Sequence, residues 1–339
     1  MIPKWKLERE WKRIKEQFQQ VPWYIYGKVV KRHYDRTKHK KISITQGRVA
    51  LGKNVAVLLI YQPKGILEST LMQLDYFNKC GFSTLVVSNA AVGEADMTKL
   101  KERSFQILER PNYGYDFGGY RDGVLHILEQ GSELQNVIVM NDSVWFPLHK
   151  DSDPVGDALK SDADLYGISY FEHLRKPHLS HIQSYFFRFG PNIVTNGYFQ
   201  QFWQDLPVSS IRNTVIRKCE MQLTESFRSR GYSIGTWSNA REINTLIAHL
   251  NDQELKEFIV YLSRITLMYK AFLEPVLEMM DAGENWREEV ERLVNGKRLI
   301  VPFLIHWPEI TVKMCMAPVM KKDKSEPYKI QRNELQRKN

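Results

Sequence analysis

The segment over residues 110–122, Arg-Pro-Asn-Tyr-Gly-Tyr-Asp-Phe-Gly-Gly-Tyr-Arg-Asp, combines glycines with polar side chains in a way that suits ligand binding. Its glycines let the backbone come close to a ligand, and the start of the helix behind them favours an anion. Four of its side chains can read sugar hydroxyls, a base edge or a phosphate: Asn112, Asp116, Arg121 and Asp122. The G-x-G-x-x-G spacing and the Gly-Lys-Ser/Thr ending are both absent. We therefore predict a binding loop that is neither a dinucleotide fingerprint nor a P-loop.

An acid that follows an apolar run, Asp142 in Asn141-Asp-Ser143, is well placed to hold a divalent cation. Such a cation would neutralise a diphosphate leaving group. The alternative is a turn or helix-cap aspartate, which is the commonest use of Asp-Ser. Two literal Asp-x-Asp patterns, residues 151–153 and 162–164, are predicted to be structural, because the first caps a helix and the second opens a strand.

A third candidate is Glu220, at the predicted leading end of a helix over residues 217–230. A carboxylate there could deprotonate an incoming hydroxyl if its pocket were partly dry. The alternative is a first-turn acid that satisfies the helix dipole.

Apolar strands alternate with helices from residue 54 onward, which predicts a mostly parallel sheet covered on both faces. The predicted strands are 55–61, 82–88, 105–108 and 136–140, and the predicted helices are 66–80, 94–103 and one that ends near 129. Ligands of such sheets gather at the carboxyl ends of the strands. The residues at those ends are therefore expected to converge: Tyr61, Ser88, Asn89, the segment 112–116, Asn141 and Asp142.

The second half of the chain is predicted to mix short strands with helices. Strands are predicted over 164–170, 182–189 and 232–237, with helices over 191–205 and 217–230. Residues 241–295 read as mostly helical, and the tail beyond 321 reads as polar and disordered.

The N-terminal residues 3–41 are basic and carry apolar residues at helical spacing, among them Trp5, Trp11 and Phe18. A basic amphipathic helix with tryptophans suits the surface of an anionic membrane. The alternative is a helix that packs on the protein's own core with a solvated Lys/Arg face.

Composition restricts the class of protein. The net charge of +9 permits phosphate-bearing partners, but the basic residues cluster at the two ends and no nucleic-acid recognition motif is present, so nucleic acid is the least favoured partner. Three distant cysteines favour a reducing cytosol. Met1 leads straight into charge and no apolar run approaches 18 residues, which predicts a soluble or peripherally attached cytosolic protein.

Four blocks of this sequence together resemble the rhamnan synthesis protein F family, bacterial glycosyltransferases that build rhamnose-containing cell-surface polysaccharides. The blocks are Arg110-Pro-Asn-x-Gly-x-Asp-x-Gly-Gly-Tyr-Arg, Met140-Asn-Asp-Ser-Val-x-x-Pro147, Gln183-Ser-Tyr-Phe-Phe and Glu220-x-x-Leu-x-x-x-x-Arg-x-x-Gly-Tyr. The resemblance spans residues 54–240. It implies a GT-A-like nucleotide-binding α/β sandwich with a mostly parallel central sheet and helical segments at both ends.

The resemblance also implies site residues. Asp142 matches the strand-end acid that holds Mg2+ or Mn2+, although a single acid, rather than a full Asp-x-Asp, leaves open that the metal is dispensable. Glu220 matches the Asp/Glu base of inverting enzymes. The hypothesis for the nucleotide and donor sugar names Tyr61, Asn89, Asn112, Gly114, Asp116, Arg121 and Asn141.

The function expected from this resemblance is transfer of rhamnose or another deoxyhexose, with inversion, from a nucleotide-sugar donor. A dTDP-linked donor and a lipid-linked cell-surface polysaccharide or lipopolysaccharide acceptor are favoured, at the inner face of the membrane. The alternative is a non-catalytic protein that binds glycan or nucleotide-sugar with a transferase fold. The expected domains are a basic segment 1–46, the transferase domain 47–240, a helical extension 241–320 and a polar tail 321–339.

Overall fold

The computed structural model describes residues 11, 27–131, 133–149, 151–173, 176–237, 240–265, 267–295 and 307–337. Apart from Trp11, the tryptophan-bearing helix predicted near the N-terminus lies outside the described residues. The chain divides into two compact units, residues 1–142, 163–165 and 172–234 (unit 1) and residues 143–162, 166–171 and 235–339 (unit 2). The domain boundaries expected from the sequence stay a prediction.

The described elements alternate as the apolar pattern requires. The strands are β1 (Ser43–Gln46), β2 (Asn54–Ile60), β3 (Ser83–Ser88), β4 (Gln106–Glu109), β5 (Asn136–Asn141), β6 (Val144–Trp145), β7 (Leu165–Gly167), β8 (Tyr170–Phe171), β9 (His181–Ile182), β10 (Phe186–Phe189), β11 (Ile234–Thr236) and β12 (Met320–Lys321). The helices are α1 (27–37), α2 (Glu68–Lys79), α3 (Glu94–Arg103), α4 (Tyr115–Glu129), α5 (Pro154–Lys160), α6 (Pro191–Val194), α7 (Gly197–Asp205), α8 (Arg212–Val215), α9 (Met221–Arg228), α10 (Ala240–Ala248), α11 (Asp252–Ile265), α12 (Leu267–Ala282), α13 (Trp286–Asn295) and α14 (Glu326–Arg337).

The sheet of unit 1 has the strand order β1-β4-β3-β2-β5-β10. Strand β2 pairs in parallel with β3 and β5, and β3 pairs in parallel with β4. The outer strands β1 and β10 pair antiparallel with β4 and β5. From Val55 to Ile60 every side chain is buried, as expected for a parallel strand covered on both faces. The predicted α/β architecture with a mostly parallel central sheet is confirmed.

Glycines set how closely α4 approaches the sheet. A Cβ at Gly119 would lie 2.4 Å from Leu59 Cδ1, and a Cβ at Gly123 would lie 2.6 Å from Val57 Cγ1. A Cβ at Gly118 would lie 2.1 Å from the Tyr113 carbonyl oxygen. Gly119 and Gly123 therefore allow α4 to pack closely on the sheet, and Gly118 allows the Tyr113 carbonyl to approach the start of α4. The close approach of these glycines to a ligand stays a prediction.

Four predictions in this part of the chain need correction. The strand predicted over 164–170 is divided into β7 and β8, the strand predicted over 182–189 into β9 and β10, and the helix predicted over 191–205 into α6 and α7. The tail beyond residue 321, predicted to be disordered, contains α14.

Unit 2 is mainly helical, as predicted for residues 241–295, and in it β6 pairs antiparallel with β12. In the part of the chain that the structure describes, no helix is both long and apolar enough to span a bilayer.

Candidate functional site

Asp142 stands directly after β5 and is held in place from the end of β2. Its backbone N–H donates to the Leu59 carbonyl at 3.0 Å. Its Oδ2 atom accepts from Gln62 Nε2 at 2.6 Å and from the Tyr61 backbone N–H at 3.3 Å. Gln62 is itself fixed, because its Oε1 atom accepts from the Leu67 N–H at 2.8 Å. The carboxylate therefore has a defined orientation at the carboxyl edge of two parallel strands.

The first turn of α4 is tied to the same edge. Asn141 is the last residue of β5, and its Nδ2 atom donates to Asp116 Oδ2 at 3.0 Å. Asp116 lies in the first turn of α4, after the N-cap Gly114. Two predicted site residues, Asn141 and Asp116, therefore lie together where the end of β5 meets the first turn of α4.

The phenol of Tyr120, on α4, is fully buried. Its hydroxyl donates to the Ser184 carbonyl at 2.8 Å. Complete burial raises the pKa of Tyr120 well above its ordinary value, and the negative charges of Asp116, Glu220 and Asp142 raise it further, while a hydrogen bond with Asn141 opposes the shift. Three acids from separate elements, all predicted as site residues, therefore act electrostatically on one phenol.

Glu220 occupies a π-helical segment rather than a helix start. This segment, Ile216–Glu220, continues α8 directly into α9. The prediction that Glu220 leads its helix is wrong, and a first-turn dipole role is excluded with it. Glu220 Oε1 accepts from the Ser184 backbone N–H at 3.2 Å, and the Ser184 carbonyl accepts from the Tyr120 hydroxyl, so the backbone of one residue connects the carboxylate and the phenol. Short π-helical segments are frequent at functional sites.

The loop over residues 110–115, here called the donor loop, is shaped by one arginine. Arg110 Nη1 donates to Asn89 Oδ1 at 2.6 Å, and Nη2 donates to the Tyr113 carbonyl at 2.6 Å. Asn89 Nδ2 donates to Asn112 Oδ1 at 3.1 Å. The predicted pair Asn89 and Asn112 therefore meets at the ends of β3 and β4.

Positive φ angles mark the end of the donor loop. Gly114 has φ +81°, and a Cβ there would lie 2.0 Å from Val208 Cγ1. Tyr115 has φ +50°, and its hydroxyl donates to the Ser210 carbonyl at 3.1 Å. A non-glycine residue in this region of φ is strained, and such strain clusters at binding and catalytic sites.

Arg121, predicted to contact the donor, has its contacts elsewhere. Its guanidinium donates to both carboxylate oxygens of Asp35 at 2.7 and 3.0 Å, and to the Trp203 carbonyl at 2.9 Å. The side chain is buried. These are the contacts of a residue that fastens α1 and α7 to α4, and they do not bring Arg121 together with the other predicted site residues.

Three groups that bond to the predicted site residues or to their neighbours were not predicted from the sequence: the Gln62 side chain, the Tyr120 hydroxyl and the Ser184 backbone. Tyr120 stands inside the Gly-Gly-Tyr-Arg block, and Gln62 follows a strand end directly. The residue types and positions of Tyr120 and Gln62 could have indicated both side chains. Ser184 contributes through its backbone, which its residue type does not reveal.

Asp142 and Asp116 are the carboxylates that could hold a metal ion at this edge of the sheet. Within the described ranges there is no group of three or more His, Cys, Asp or Glu residues placed to hold a metal ion. Mg2+ is commonly bound by one or two carboxylates together with the phosphates of a substrate. Asp142 and Asp116 are of this chemical kind. Asp116 also offsets the attraction of the α4 N-terminus for an anion, because its carboxylate already occupies the first turn.

Comparison with known proteins gives a family and a relative. A family model for Rhamnan synthesis protein F matches residues 84–270. A protein of Sinorhizobium fredii (strain NBRC 101917 / NGR234), described as uncharacterized protein y4gN, is 33% identical over 337 residues, covering 99% of this chain and 88% of that protein.

Solved structures show a partial similarity. The mannosyltransferase PcManGT from Pyrobaculum calidifontis, in complex with GDP-Man and Mn2+, has a TM-score of 0.33 and 9% identity over 68% of this chain and 71% of that one. TarS residues 1–349 of S. aureus has a TM-score of 0.29 and 11% identity over 61% and 69% of the two chains. Scores this low support no statement about ligand or reaction.

Proposed function

Because this chain belongs to the rhamnan synthesis protein F family, we propose that it is a glycosyltransferase that moves a sugar from a nucleotide-sugar donor to a glycan hydroxyl. The observation that carries the proposal is the pair of carboxylates at the end of β5: Asp142 follows this strand directly, and Asp116 accepts a hydrogen bond from its last residue, Asn141. Ligands of open α/β sheets bind at the carboxyl ends of the strands. Asp142 lies at such an end, and Asp116 is joined to it through Asn141.

Glu220 is proposed as the general base. The Ser184 N–H fixes one carboxylate oxygen at 3.2 Å, which orients the group, and the side chain is half-buried. Glu220 takes the proton of the acceptor hydroxyl while the acceptor oxygen bonds to the anomeric carbon. The bond from that carbon to the diphosphate breaks, and the nucleoside diphosphate leaves with the electron pair. Attack opposite the leaving group inverts the anomeric centre.

The donor is proposed to bind between the donor loop and the ends of β2, β3 and β5. Asn112 and the exposed Tyr61 would offer amide and aromatic groups to a base or sugar, together with Gly114 and Asn141. The buried Asn89, bonded to Arg110 and Asn112, would hold Asn112 in position. Asp142, with Asp116, would hold Mg2+ or Mn2+, which supplies charge neutralisation for the leaving diphosphate. The family description, rhamnan synthesis, supports rhamnose as the sugar, and we propose with it a dTDP carrier and a lipid-linked glycan acceptor at the inner face of the membrane.

A thermal-shift screen of dTDP, UDP, GDP, CDP and their sugars, each with and without Mn2+, tests the proposal. A ligand that binds the folded state raises the melting temperature by mass action. We expect one nucleotide family to raise it, more strongly with Mn2+. Stabilisation by no nucleotide, in protein that melts cooperatively, would contradict donor binding. Stabilisation without any transfer or hydrolysis would instead favour the non-catalytic binding protein.

Asp142→Asn is the matched mutational test. The amide keeps the shape and can still accept from Gln62, but it lacks the charge that faces the diphosphate. Transfer is expected to fall by about 100-fold or more, because electrostatic groups at the leaving site contribute on that order. Asp157→Asn, on the exposed face of α5, is the control. Wild-type turnover in Asp142→Asn would remove Asp142 from the mechanism.

A further inference from the structure

A buried ion pair lies beneath the donor loop. Arg110 Nε donates to Asp122 Oδ2 at 2.8 Å, and the two side chains are 0% and 1% exposed. Replacement of a buried pair by apolar residues is often neutral or stabilising, so stability alone is a weak reason for its presence. The other donors of Arg110 suggest a different role, because they reach Asn89 and the Tyr113 carbonyl.

The third member of this cluster comes from α1. The Tyr34 hydroxyl accepts from Arg110 Nη2 at 2.9 Å and donates to Asp122 Oδ2. Burial raises the pKa of Tyr34, and the Asp122 carboxylate adds to the shift, so the phenol keeps the proton that it donates. The Tyr34 ring also packs on the Tyr113 ring, with centroids 4.6 Å apart. One side chain of α1 thus touches both the arginine that shapes the donor loop and the loop itself.

A second contact fixes α1 against α4 beside the first. Asp35 receives two hydrogen bonds from Arg121, and Lys38, just beyond α1, donates to Asp122 Oδ1 at 3.2 Å. Helix α1, which precedes the first strand in sequence, is therefore anchored both to α4 and to the donor loop. The expected transferase boundary at residue 47 would cut this cluster away.

We infer that Tyr34 is a positioning residue for the donor loop: it holds Arg110 in the orientation that fixes Asn89 and the Tyr113 carbonyl. The role in donor binding rests on the proposed function, whereas the ordering of the loop does not. Without the hydroxyl, Arg110 keeps its charge partner Asp122 but loses one of the two acceptors that fix Nη2, so its hold on the other acceptor, the Tyr113 carbonyl, weakens and the loop over residues 110–115 gains freedom.

Hydrogen exchange of the full-length chain tests the inference without any ligand. In Tyr34→Phe, the amides of residues 112–115 are expected to exchange about 5-fold faster, since loss of one hydrogen bond changes a local equilibrium by about that factor. Amides of β5 should be unchanged. Tyr261→Phe, which removes a buried hydroxyl of unit 2, is the control. Unchanged exchange in the loop, or an equal increase in β5, would overturn the inference.

Arg110→Lys is the second variant. Lysine keeps the charge beside Asp122, but it cannot donate to Asn89 and to the Tyr113 carbonyl in fixed directions. It should loosen the loop more than Tyr34→Phe does. Equal or smaller loop exchange in Arg110→Lys would contradict the assignment of Arg110 as the group that Tyr34 positions.

Donor binding provides the functional readout. For the nucleotide that stabilises wild-type protein, Tyr34→Phe should raise Kd about 5-fold while kcat at saturation stays within about 2-fold, because the hydroxyl shapes the binding loop and not the acids. A fall in kcat with unchanged Kd would count against the inference. If wild-type protein binds no nucleotide, the proposed function fails, and the exchange experiment still decides the role of Tyr34.

Discussion

Glu220 has one carboxylate oxygen fixed by the Ser184 backbone N–H, and its negative charge is among those that raise the pKa of the buried Tyr120 phenol. A π-helical segment widens the helix by one residue and changes the direction in which its side chains point. The five-residue segment ends at Glu220 itself. The local irregularity of the helix therefore coincides with the residue proposed as base.

Glu220→Gln tests this at the level of one atom. Glutamine can still accept from the Ser184 N–H but cannot take a proton from the acceptor. Transfer is expected to fall about 100- to 10,000-fold, the usual contribution of a general base. Nucleotide Kd should stay unchanged.

The matched control is Glu225→Gln, on the same helix. Glu225 Oε2 forms an ion pair with Arg228 Nη1 at 2.8 Å, three residues further along the helix. Equal losses in the two variants would indicate damage to α9 rather than loss of the base.

Sequence position predicted that Asp142, Asn141 and Asp116 would converge, because residues that follow parallel strands meet at one edge of the sheet, and the Asn141–Asp116 hydrogen bond agrees with this. Their role in a site stays a prediction, and the partners of their side chains were not foreseen. Arg121 was assigned to the donor because sequence spacing does not show that Asp35, far away in the chain, would occupy its guanidinium. The π-helical turn was missed because its residues read as ordinary helix.

At the scale of elements, α4 connects the donor loop to the sheet. Its glycines let it lie close to β2, so that Asp116 and Tyr120 on the same helix reach the strand ends. The sequence predicted the bounds of three strands to within one residue, β2, β3 and β5, since buried parallel strands are uninterrupted apolar runs. The helices between them, α2 and α3, were predicted from the segments that separate these runs. The break between α6 and α7 could have been predicted, because Asn is a preferred N-cap residue and the Asn196 side chain accepts from the Tyr198 N–H at 2.9 Å.

Gly119→Ala tests the close approach of α4. The added methyl would stand 2.4 Å from Leu59 Cδ1, so the helix or the strand must shift. We expect a loss of about 1–3 kcal/mol in the free energy of unfolding, as for other overpacked cores. Urea denaturation measures it.

The control for this change is Gly197→Ala, at the first position of α7, where a Cβ would meet nothing within 4 Å. Alanine there should be neutral or stabilise by up to about 1 kcal/mol, since it restricts the unfolded chain. A stable Gly119→Ala variant would show that α4 can move away from β2 at little cost.

For the molecule as a whole, the α1 contact predicts acid sensitivity. Burial opposes ionisation of Asp35, but hydrogen bonds from Arg121 and Lys31 outweigh it and lower the pKa of Asp35. A carboxyl whose pKa is lower in the folded state contributes stability above its unfolded pKa of about 3.9. That contribution is lost as pH falls through the folded pKa.

Asp35→Asn should therefore flatten the acid limb of the stability curve. The variant is expected to be less stable than wild type at pH 7 and nearly equal to it at pH 2, in urea titrations across that range. Asp157→Asn should follow wild type throughout. A constant difference between Asp35→Asn and wild type at every pH would contradict the linkage.

The antiparallel strand β10 has a consequence for synthesis on the ribosome. Strand β5, whose Val137–Met140 side chains are wholly buried, needs β10 on one side and β2 on the other. A nascent chain that has not yet delivered Phe186–Phe189 presents β5 as an open apolar edge, which is a template for pairing with other chains. Until that strand emerges, we expect the growing polypeptide to be prone to aggregation through the open edge of β5.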